Sequence, residues 1–391
     1  MGSILIKDIL LDGKPRNVLI EGKRFKSLSA ADGAVAETVL DGSGKALLPG
    51  LYNTHTHSAM TLMRGYGDDH SLEDWLDRYI WPYESHMVPA DIRRGYEIAV
   101  HEMAGTGSVF FNDMYFDLET ATDVVARSGL RASLGWVVLD GHPLSQKIEE
   151  MERIKEWRDP TGGRIRLAMA PHAIYTVAEE EVVRMVRFAR ENGMKIHTHL
   201  AETRTEVSNC MLAHGMRPVA YLDSLGVLGP DVILAHCVQV TDEEADLLSE
   251  RGVTISHCPC SNMKLGSGIF PYERMIKAGC RITLGTDGAS SSNNLDLREA
   301  MKFAALLAKV GGDPQLLPAA QVLDWATRCG AEAFGIDAGV IAEGKLADCI
   351  LVDLNDVKMQ PCHNLVSNFV YSADSACIAA VLCDGEIIYQ K

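Results

Sequence analysis

Short apolar runs rich in β-branched residues alternate with longer amphipathic stretches between residues 46 and 310. The short runs have the length and composition of buried strands. Eight strands are predicted, at residues 46–57, 107–115, 131–139, 164–172, 194–200, 232–236, 253–258 and 281–287. The intervening stretches carry Glu, Arg and Lys at helical spacing. In 179–192, for example, glutamates open the helical pattern and Asn192-Gly193 ends it.

Eight alternating β/α units within about 250 residues match the size of a (β/α)8 barrel, an α/β fold. A barrel of this kind carries its reactive groups at the C-terminal ends of the strands. A doubly wound open sheet shows the same alternation, so periodicity alone leaves both folds open.

The two ends of the chain differ from its centre. Residues 3–44 and 344–391 contain short predicted strands separated by turns such as Asp12-Gly13 and Asp384-Gly385. Neither end is long enough to form a good core by itself. We therefore expect residues 1–45 and 344–391 to pair into one small, discontinuous β-sandwich beside a catalytic barrel formed by residues 46–343.

The chain is acidic, with 37 Lys and Arg against 53 Asp and Glu and a formal net charge of −16. This charge repels phosphate backbones and anionic lipids, so neither nucleic acid nor a membrane is an expected partner. No apolar run approaches the roughly 18 residues of a membrane-spanning helix, and we expect no signal peptide. The ten cysteines lack C-x-x-C spacing, which favours reduced thiols. A cytoplasmic homo-oligomer acting on a small molecule is expected.

Metal-binding side chains stand at the ends of several predicted strands. His55 and His57 are two residues apart on the first strand, so their side chains share one face. His199 ends the fifth strand, His236 the sixth and Asp287 the eighth. These groups converge only if the sheet closes, so the barrel and a divalent metal of the zinc or iron type support one another.

Two further histidines lie at or near the ends of predicted strands. His197 lies two residues before His199 and is expected to pack inside the barrel, one layer below it. His257 ends the seventh predicted strand. Two roles fit it equally well, a contact with the metal ligands or a hydrogen-bonded position in the core.

The chain resembles the metal-dependent amidohydrolase superfamily over nearly its whole length. The resemblance rests on His55-Thr56-His57, His199-Leu200-Ala201-Glu202, Ala235-His236-Cys237, Ser256-His257-Cys258-Pro259 and Leu284-Gly285-Thr286-Asp287-Gly288. Within it, the chain is similar to the 5-methylthioadenosine/S-adenosylhomocysteine deaminases. That similarity rests on Leu62-Met63-Arg64-Gly65, Asp68-Asp69, Trp75-Leu76, Ile80-Trp81-Pro82-Tyr83-Glu84, Pro171-His172 and Ser261-Asn262-Met263-Lys264-Leu265-Gly266.

The resemblance implies one catalytic divalent ion, zinc with iron as the alternative, held by His55, His57, His199 and Asp287. No lysine stands near the end of the fourth predicted strand, where binuclear relatives carry a bridging carboxylated lysine. We therefore expect a single ion.

The implied reaction is hydrolytic deamination of an adenine nucleoside, which converts the 6-amino group to 6-oxo and releases ammonia. In the family, the residue matching Glu202 passes a proton to purine N1. The residue matching Asp287 accepts a proton from water, and the one matching His236 holds the attacking oxygen. Proton transfers of this kind contribute about 10² to 10⁴ in rate.

The resemblance also implies three contacts with the substrate. Glu84 would accept hydrogen bonds from the ribose 2′ and 3′ hydroxyls, and His172 would bond the purine ring. Trp75 would pack against the nucleoside, although its spacing is equally well explained by helix packing.

Trp136 departs from the pattern of relatives that accept S-adenosylhomocysteine, which carry an arginine there for the amino-acid carboxylate. An apolar wall would favour 5′-methylthioadenosine, 5′-deoxyadenosine or adenosine, and Trp136→Arg would then raise kcat/KM for S-adenosylhomocysteine. Cys258 also stands where an asparagine is more usual in the branch. The alternatives are hydrolysis of another ring, such as guanine, cytosine, a pterin or a chlorotriazine, and a non-catalytic metal-stabilised binding protein.

Overall fold

The computed structural model describes residues 2–391, and its first five strands lie outside the barrel. They are β1 (Ser3–Leu11), β2 (Lys14–Glu21), β3 (Arg24–Ser27), β4 (Thr38–Asp41) and β5 (Lys45–Pro49). Apolar residues on these strands, among them Ile6, Val18 and Phe25, are buried in a core of their own.

Eight parallel strands follow and form the barrel in chain order. They are β6 (Leu51–Thr56), β7 (Ser108–Asp113), β8 (Arg131–Val138), β9 (Ile165–Pro171), β10 (Lys195–Leu200), β11 (Val232–His236), β12 (Thr254–His257) and β13 (Arg281–Leu284). The sheet closes where β13 meets β6. There the Thr54 hydroxyl donates to the Leu284 carbonyl at 2.9 Å, and Asp287 N donates to the His55 carbonyl at 3.0 Å.

The chain returns to the terminal sheet through β14 (Cys349–Asp353), β15 (Ile378–Cys383) and β16 (Glu386–Gln390). The mixed sheet has the order β16-β15-β14-β5-β1-β2-β3, with β4 also paired to β1, and Arg24 bridges to Leu346 at its far edge. A closed parallel barrel beside a sheet built from both termini confirms the predicted fold class.

Helices cover the outside of the barrel and its C-terminal end. They are α1 (Leu72–Trp75), α2 (Trp81–Glu84), α3 (Pro89–Gly105), α4 (Leu118–Ser128), α5 (Glu179–Glu191), α6 (Arg204–His214), α7 (Pro218–Ser224), α8 (Asp242–Arg251), α9 (Pro259–Lys264), α10 (Tyr272–Lys277), α11 (Ala289–Ser292), α12 (Leu297–Leu307), α13 (Ala319–Ala326), α14 (Arg328–Ala333) and α15 (Leu365–Tyr371). Among residues 2–391, none of these helices combines the length and apolar character needed to cross a bilayer.

The predicted strand 46–57 is divided at Gly50. Its first part, β5, pairs with β14 in the terminal sheet, whereas β6 begins the barrel. A side chain at position 50 would collide with Val109 of β7, so only glycine lets the chain pass this close between the two sheets.

A buried cluster of charges joins the two sheets below the barrel. Arg131, at the start of β8, donates to Asp348 at 2.8 Å and also pairs with Asp384. The Tyr52 hydroxyl donates to Asp348 at 2.7 Å, and Lys23 lies 2.6 Å from Asp384. The side chains of Arg131, Asp348 and Asp384 are at most 5% exposed. Because each buried carboxylate is paired with Arg131 or Lys23, no charge in the cluster is left without an opposite one.

Candidate active site

The backbone bends sharply where three barrel strands end. Ala201 follows β10, His236 is the last residue of β11, and Asp287 follows β13. Their φ angles are +49°, +71° and +64°. Residues with a side chain rarely adopt this left-handed region, and such strain gathers at functional sites. The strained turns lie at the C-terminal end of the barrel.

Four predicted metal ligands meet at this end of the barrel. Asp287 Oδ1 lies 3.3 Å from both His55 Nε2 and His57 Nε2, and His57 Nε2 lies 3.3 Å from His199 Nε2. A tetrahedral ion with ligand bonds of about 2.1 Å separates its ligand atoms by about 3.4 Å. The spacing of these side chains therefore fits one small divalent ion.

Two of these imidazoles are fixed by backbone carbonyls. His57 Nδ1 donates to the Met114 carbonyl at 2.7 Å, and His199 Nδ1 donates to the His172 carbonyl at 2.7 Å. Because Nδ1 carries the proton in each ring, each Nε2 lone pair is free. The two Nε2 atoms lie 3.3 Å apart, and His57 Nε2 also lies 3.3 Å from Asp287 Oδ1. This tautomer is the one a metal ligand needs.

His55 is held by another side chain rather than by a carbonyl. Its Nδ1 lies 2.9 Å from His197 Nε2, while its buried Nε2 has no hydrogen-bond partner among residues 2–391. His197 is fully buried, as expected for the layer below, but it also contacts a ligand. A lone pair left unpartnered in a buried site is consistent with metal binding.

Burial keeps His55 and His199 neutral. It lowers the pKa of His55 to about 4 and the pKa of His199 well below its usual range. Burial raises the pKa of Asp287, but the neighbouring imidazoles of His55, His236 and His57 together outweigh it and hold the pKa well below the ordinary value. Neutral imidazoles beside an ionised carboxylate form a donor set suited to a divalent cation.

Glu202 and His236 lie next to the proposed ligands. His236 Nε2 is 3.6 Å from Glu202 Oε2 and 3.9 Å from Asp287 Oδ2. The Ser267 hydroxyl donates to Glu202 Oε1 at 3.1 Å, and His236 Nδ1 lies 2.8 Å from Asn262 Oδ1. Burial raises the pKa of Glu202. Burial lowers the pKa of His236, but the charges of Glu202 and Asp287, with the hydrogen bond to Asn262, together outweigh it and raise the pKa.

Glu206, which the sequence analysis did not single out, holds the turn that carries Glu202. Its carboxylate accepts hydrogen bonds from Ala201 N at 2.8 Å and Glu202 N at 2.7 Å. Burial raises the pKa of Glu206 to about 7, against the effect of these two donors. A glutamate in the first turn of α6 resembles an ordinary exposed helix residue in sequence, so only its burial identifies it.

A concave pocket opens above this cluster at the C-terminal end of the barrel. The residues that line it are His57, Met60, Leu72, Trp75, Leu76, Trp81, Glu84, Met114, Tyr115, Phe116, Val137, Leu139, His172, Tyr175, His199, Glu202, His236, Leu265 and Asp287. Within residues 2–391, no lysine or arginine borders it. Most of its walls are apolar, and the ionisable groups on them are carboxylates, imidazoles and the phenols of Tyr115 and Tyr175.

The three predicted substrate-contacting residues all border this cavity. Glu84 is 2% exposed, and in the described chain its Oε1 has no hydrogen-bond partner. His172 Nδ1 lies 2.9 Å from the Thr176 hydroxyl, and burial lowers the pKa of His172 to about 3. Trp75 is buried along one wall. The geometry places these groups in one chamber with Glu202.

The interpretation of Trp136 is wrong. Val137 of β8 and Leu139, just after the strand, line the catalytic cavity, whereas Trp136 lines a separate cavity with Ile154 and Trp157. Successive side chains of a strand point to opposite faces, so a residue next to Val137 cannot share its face. Trp136 therefore cannot form the wall expected near the nucleoside 5′ substituent.

His257 and Cys258 lie at the end of β12. His257 Nε2 pairs with the Tyr272 hydroxyl at 2.8 Å, and its ring stacks on Phe270. These contacts give it the hydrogen-bonded place in the core. Cys258 is fully buried, and its thiol donates weakly to the Ser256 carbonyl at 3.5 Å.

The chain is similar to named deaminases over most of its length. The chain is 45% identical to a 5′-deoxyadenosine deaminase of Methanothermobacter thermautotrophicus, over 95% of this chain and 88% of that protein. It is 42% identical to a 5-methylthioadenosine/S-adenosylhomocysteine deaminase of Archaeoglobus fulgidus, over 96% and 89%.

A solved structure is similar over almost the whole fold. It is an adenosine deaminase from Xanthomonas campestris with bound zinc, with a TM-score of 0.92 and 34% identity over 98% of this chain and 92% of that one. The amidohydrolase family model matches residues 46–388, which include every proposed metal ligand. The chain belongs to the amidohydrolase family.

Proposed function

We propose that the protein is a hydrolytic deaminase of adenine nucleosides that converts the 6-amino group to 6-oxo and releases ammonia. The main observation behind the proposal is the set of residues that line one cavity. A set of metal ligands and Glu202 border the same chamber as Glu84, whose free oxygen suits ribose hydroxyls. The names of the relatives agree with the prediction from the sequence.

We assign one divalent ion, zinc, to His55, His57, His199 and Asp287. Such an ion lowers the pKa of a bound water toward neutrality and so makes it a nucleophile. The three nitrogen donors and one carboxylate suit zinc, and the similar adenosine deaminase contains it. The position after β9 is occupied by His172 rather than by a bridging lysine, which supports a single ion.

Glu202 is the proposed proton donor to purine N1. Its raised pKa keeps a proton available nearer to neutral pH, and Ser267 orients the carboxyl group. Asp287 would accept the proton that the attacking water releases. His236, held by Asn262, would hold the attacking oxygen in line with C6. The proton that Asp287 takes from water then leaves with the ammonia. The proton of the new C6 hydroxyl returns to Glu202 as the 6-oxo group forms, which restores the acid for the next turnover.

Glu84, His172 and Trp75 are the proposed contacts with the nucleoside. Glu84 would accept the ribose 2′ and 3′ hydroxyls through its unpartnered oxygen, His172 would bond the purine ring, and Trp75 would pack against the nucleoside.

The charge of the cavity favours nucleosides with an uncharged 5′ group. A carboxylate carried by the 5′ substituent would find no lysine or arginine on the walls formed by the described residues. Burying an unpaired charge is expensive. We therefore expect 5′-deoxyadenosine, 5′-methylthioadenosine and adenosine to be better substrates than S-adenosylhomocysteine.

The test is an ammonia-release panel run with and without a metal chelator. It compares adenosine, 5′-deoxyadenosine, 5′-methylthioadenosine, S-adenosylhomocysteine, guanine and cytosine, together with the zinc content of the protein. We expect chelator-sensitive turnover of the first three and about one zinc per chain. Turnover of guanine or cytosine without turnover of any adenine nucleoside would contradict the proposal.

A further inference from the structure

His142, in the loop after β8, faces the proposed ribose-binding carboxylate. Its Nε2 lies 3.3 Å from Glu84 Oε2, and the two side chains are 4% and 2% exposed. Neither His142 Nε2 nor Glu84 Oε1 has a hydrogen-bond partner among residues 2–391. Buried polar atoms are rarely left unpaired without a functional reason.

The backbone determines which nitrogen of His142 carries the proton. Leu144 N lies 3.3 Å from His142 Nδ1 and donates to it. A nitrogen that accepts a hydrogen bond has no proton, so the neutral ring is protonated on Nε2, the atom that faces Glu84. His142 can therefore only act as a donor toward the carboxylate.

The ring of His142 is also held in its plane. It stacks on Phe116, with ring centroids 4.7 Å apart and an angle of 9° between the planes. Phe116 borders the catalytic cavity, so the stack places the imidazole beside the chamber. A donor fixed in direction and in protonation can orient a carboxylate that a free side chain would leave mobile.

We propose that His142 is a positioning residue for ribose recognition, an inference that rests on the proposed function. Its Nε2–H stands 3.3 Å from Glu84 Oε2, and the attraction between them keeps the carboxylate directed at the ribose 2′ and 3′ hydroxyls. The sugar is then selected by a pair of residues, because Glu84 provides the acceptor and His142 fixes its direction.

The experiment compares adenosine with 2′,3′-dideoxyadenosine, which lacks both hydroxyls. His142→Phe keeps an aromatic ring against Phe116 but removes the donor. We expect kcat/KM for adenosine to fall about 10- to 100-fold, mostly through KM, since hydrogen bonds to charged groups are the strong ones. For the dideoxy nucleoside the change is expected to stay below about threefold.

Two further variants separate positioning from folding. His142→Gln places an amide donor near Nε2 and is expected to recover part of the loss on adenosine, which also provides a folded variant if the phenylalanine variant fails to fold. His101→Phe, at an exposed position of α3, is the matched control and should not alter the ratio between the two substrates. Zinc content should be the same in all variants.

A Glu84→Gln background completes the test. If His142 acts only through Glu84, His142→Phe should cost little more in that background. Equal losses on adenosine and 2′,3′-dideoxyadenosine, or independent effects of the two substitutions, would overturn the inference while the deaminase assignment stands. If the unaltered enzyme releases no ammonia from either nucleoside, the proposed function fails, and the inference with it.

Discussion

The two ends of the barrel both bury charged groups, but they satisfy them differently. At the N-terminal end, Asp348 and Asp384 are balanced by Arg131 and Lys23 between the barrel and the terminal sheet. At the C-terminal end, His55 Nε2 and Glu84 Oε1 have no partner in the described chain. The comparison teaches that a closed network fastens two layers together, whereas an open one is a site that a ligand must complete.

Removing the proton donor is expected to have the largest effect at the open end. Glu202→Gln keeps the size and the contact with Ser267 but removes the acid, so kcat on 5′-deoxyadenosine should fall about 10² to 10⁴-fold. Steady-state kinetics and elemental analysis check this. Loss of zinc along with activity would assign the residue to metal binding instead.

Breaking the closed network should affect stability rather than chemistry. Arg131→Met leaves two carboxylates buried with too little positive charge, which typically costs about 3–5 kcal/mol. Urea unfolding measures the loss, and kcat of the folded variant should be nearly unchanged.

The control for that substitution is Arg127→Met. Arg127 pairs with Asp123 on the surface, where both side chains are well exposed, and such pairs contribute roughly 0–1 kcal/mol. If Arg127→Met and Arg131→Met cost the same, the buried network does not hold the two sheets together.

His197 links the open end to the layer beneath it. His197→Phe removes the acceptor for His55 Nδ1, and losing such a support should weaken zinc binding by about 10- to 100-fold. Competition with a chromophoric chelator gives the affinity. His257→Phe, at a buried histidine paired with Tyr272, is the control, and an equal loss there would mean that any change in the histidine core disturbs the metal.

The smallest effect is expected at Trp136. Trp136→Phe should leave the kcat/KM ratio of 5′-methylthioadenosine to 5′-deoxyadenosine within about twofold, because the side chain lies outside the catalytic cavity. A larger shift would show that the outer cavity communicates with the site.

The sequence was sufficient for the barrel and for the convergence of the proposed metal ligands. Strand periodicity fixes where each strand ends, and a closed parallel barrel brings those ends together, so His199 and Asp287 could be placed near His55 across a long stretch of chain. The terminal sheet was equally accessible, because its turns are marked by glycine.

Other features depend on contacts that no local pattern records. The division at Gly50 depends on the close approach of Val109. The error at Trp136 is one of strand face, because a shift of one residue along a strand moves a side chain to the opposite face. His142 lies in a loop, and Glu206 lies in the first turn of α6. Neither position belongs to a repeating pattern of apolar residues that would mark it as buried. Their partners became visible only once tertiary distances were known.

Gly50 also limits how this enzyme can be trimmed. Only Gly50 separates β6, the strand that leads to His55 and His57, from β5 in the outer sheet. Within β5, Leu48 is paired with Ile350 of β14. A fragment starting at β6 would lose the strand that anchors it to the outer sheet and would expose the edge of β14 that pairs with β5. The outer sheet thus supports β6, the strand that carries His55. Deleting the outer sheet should lower the amount of bound zinc before it lowers the helical content.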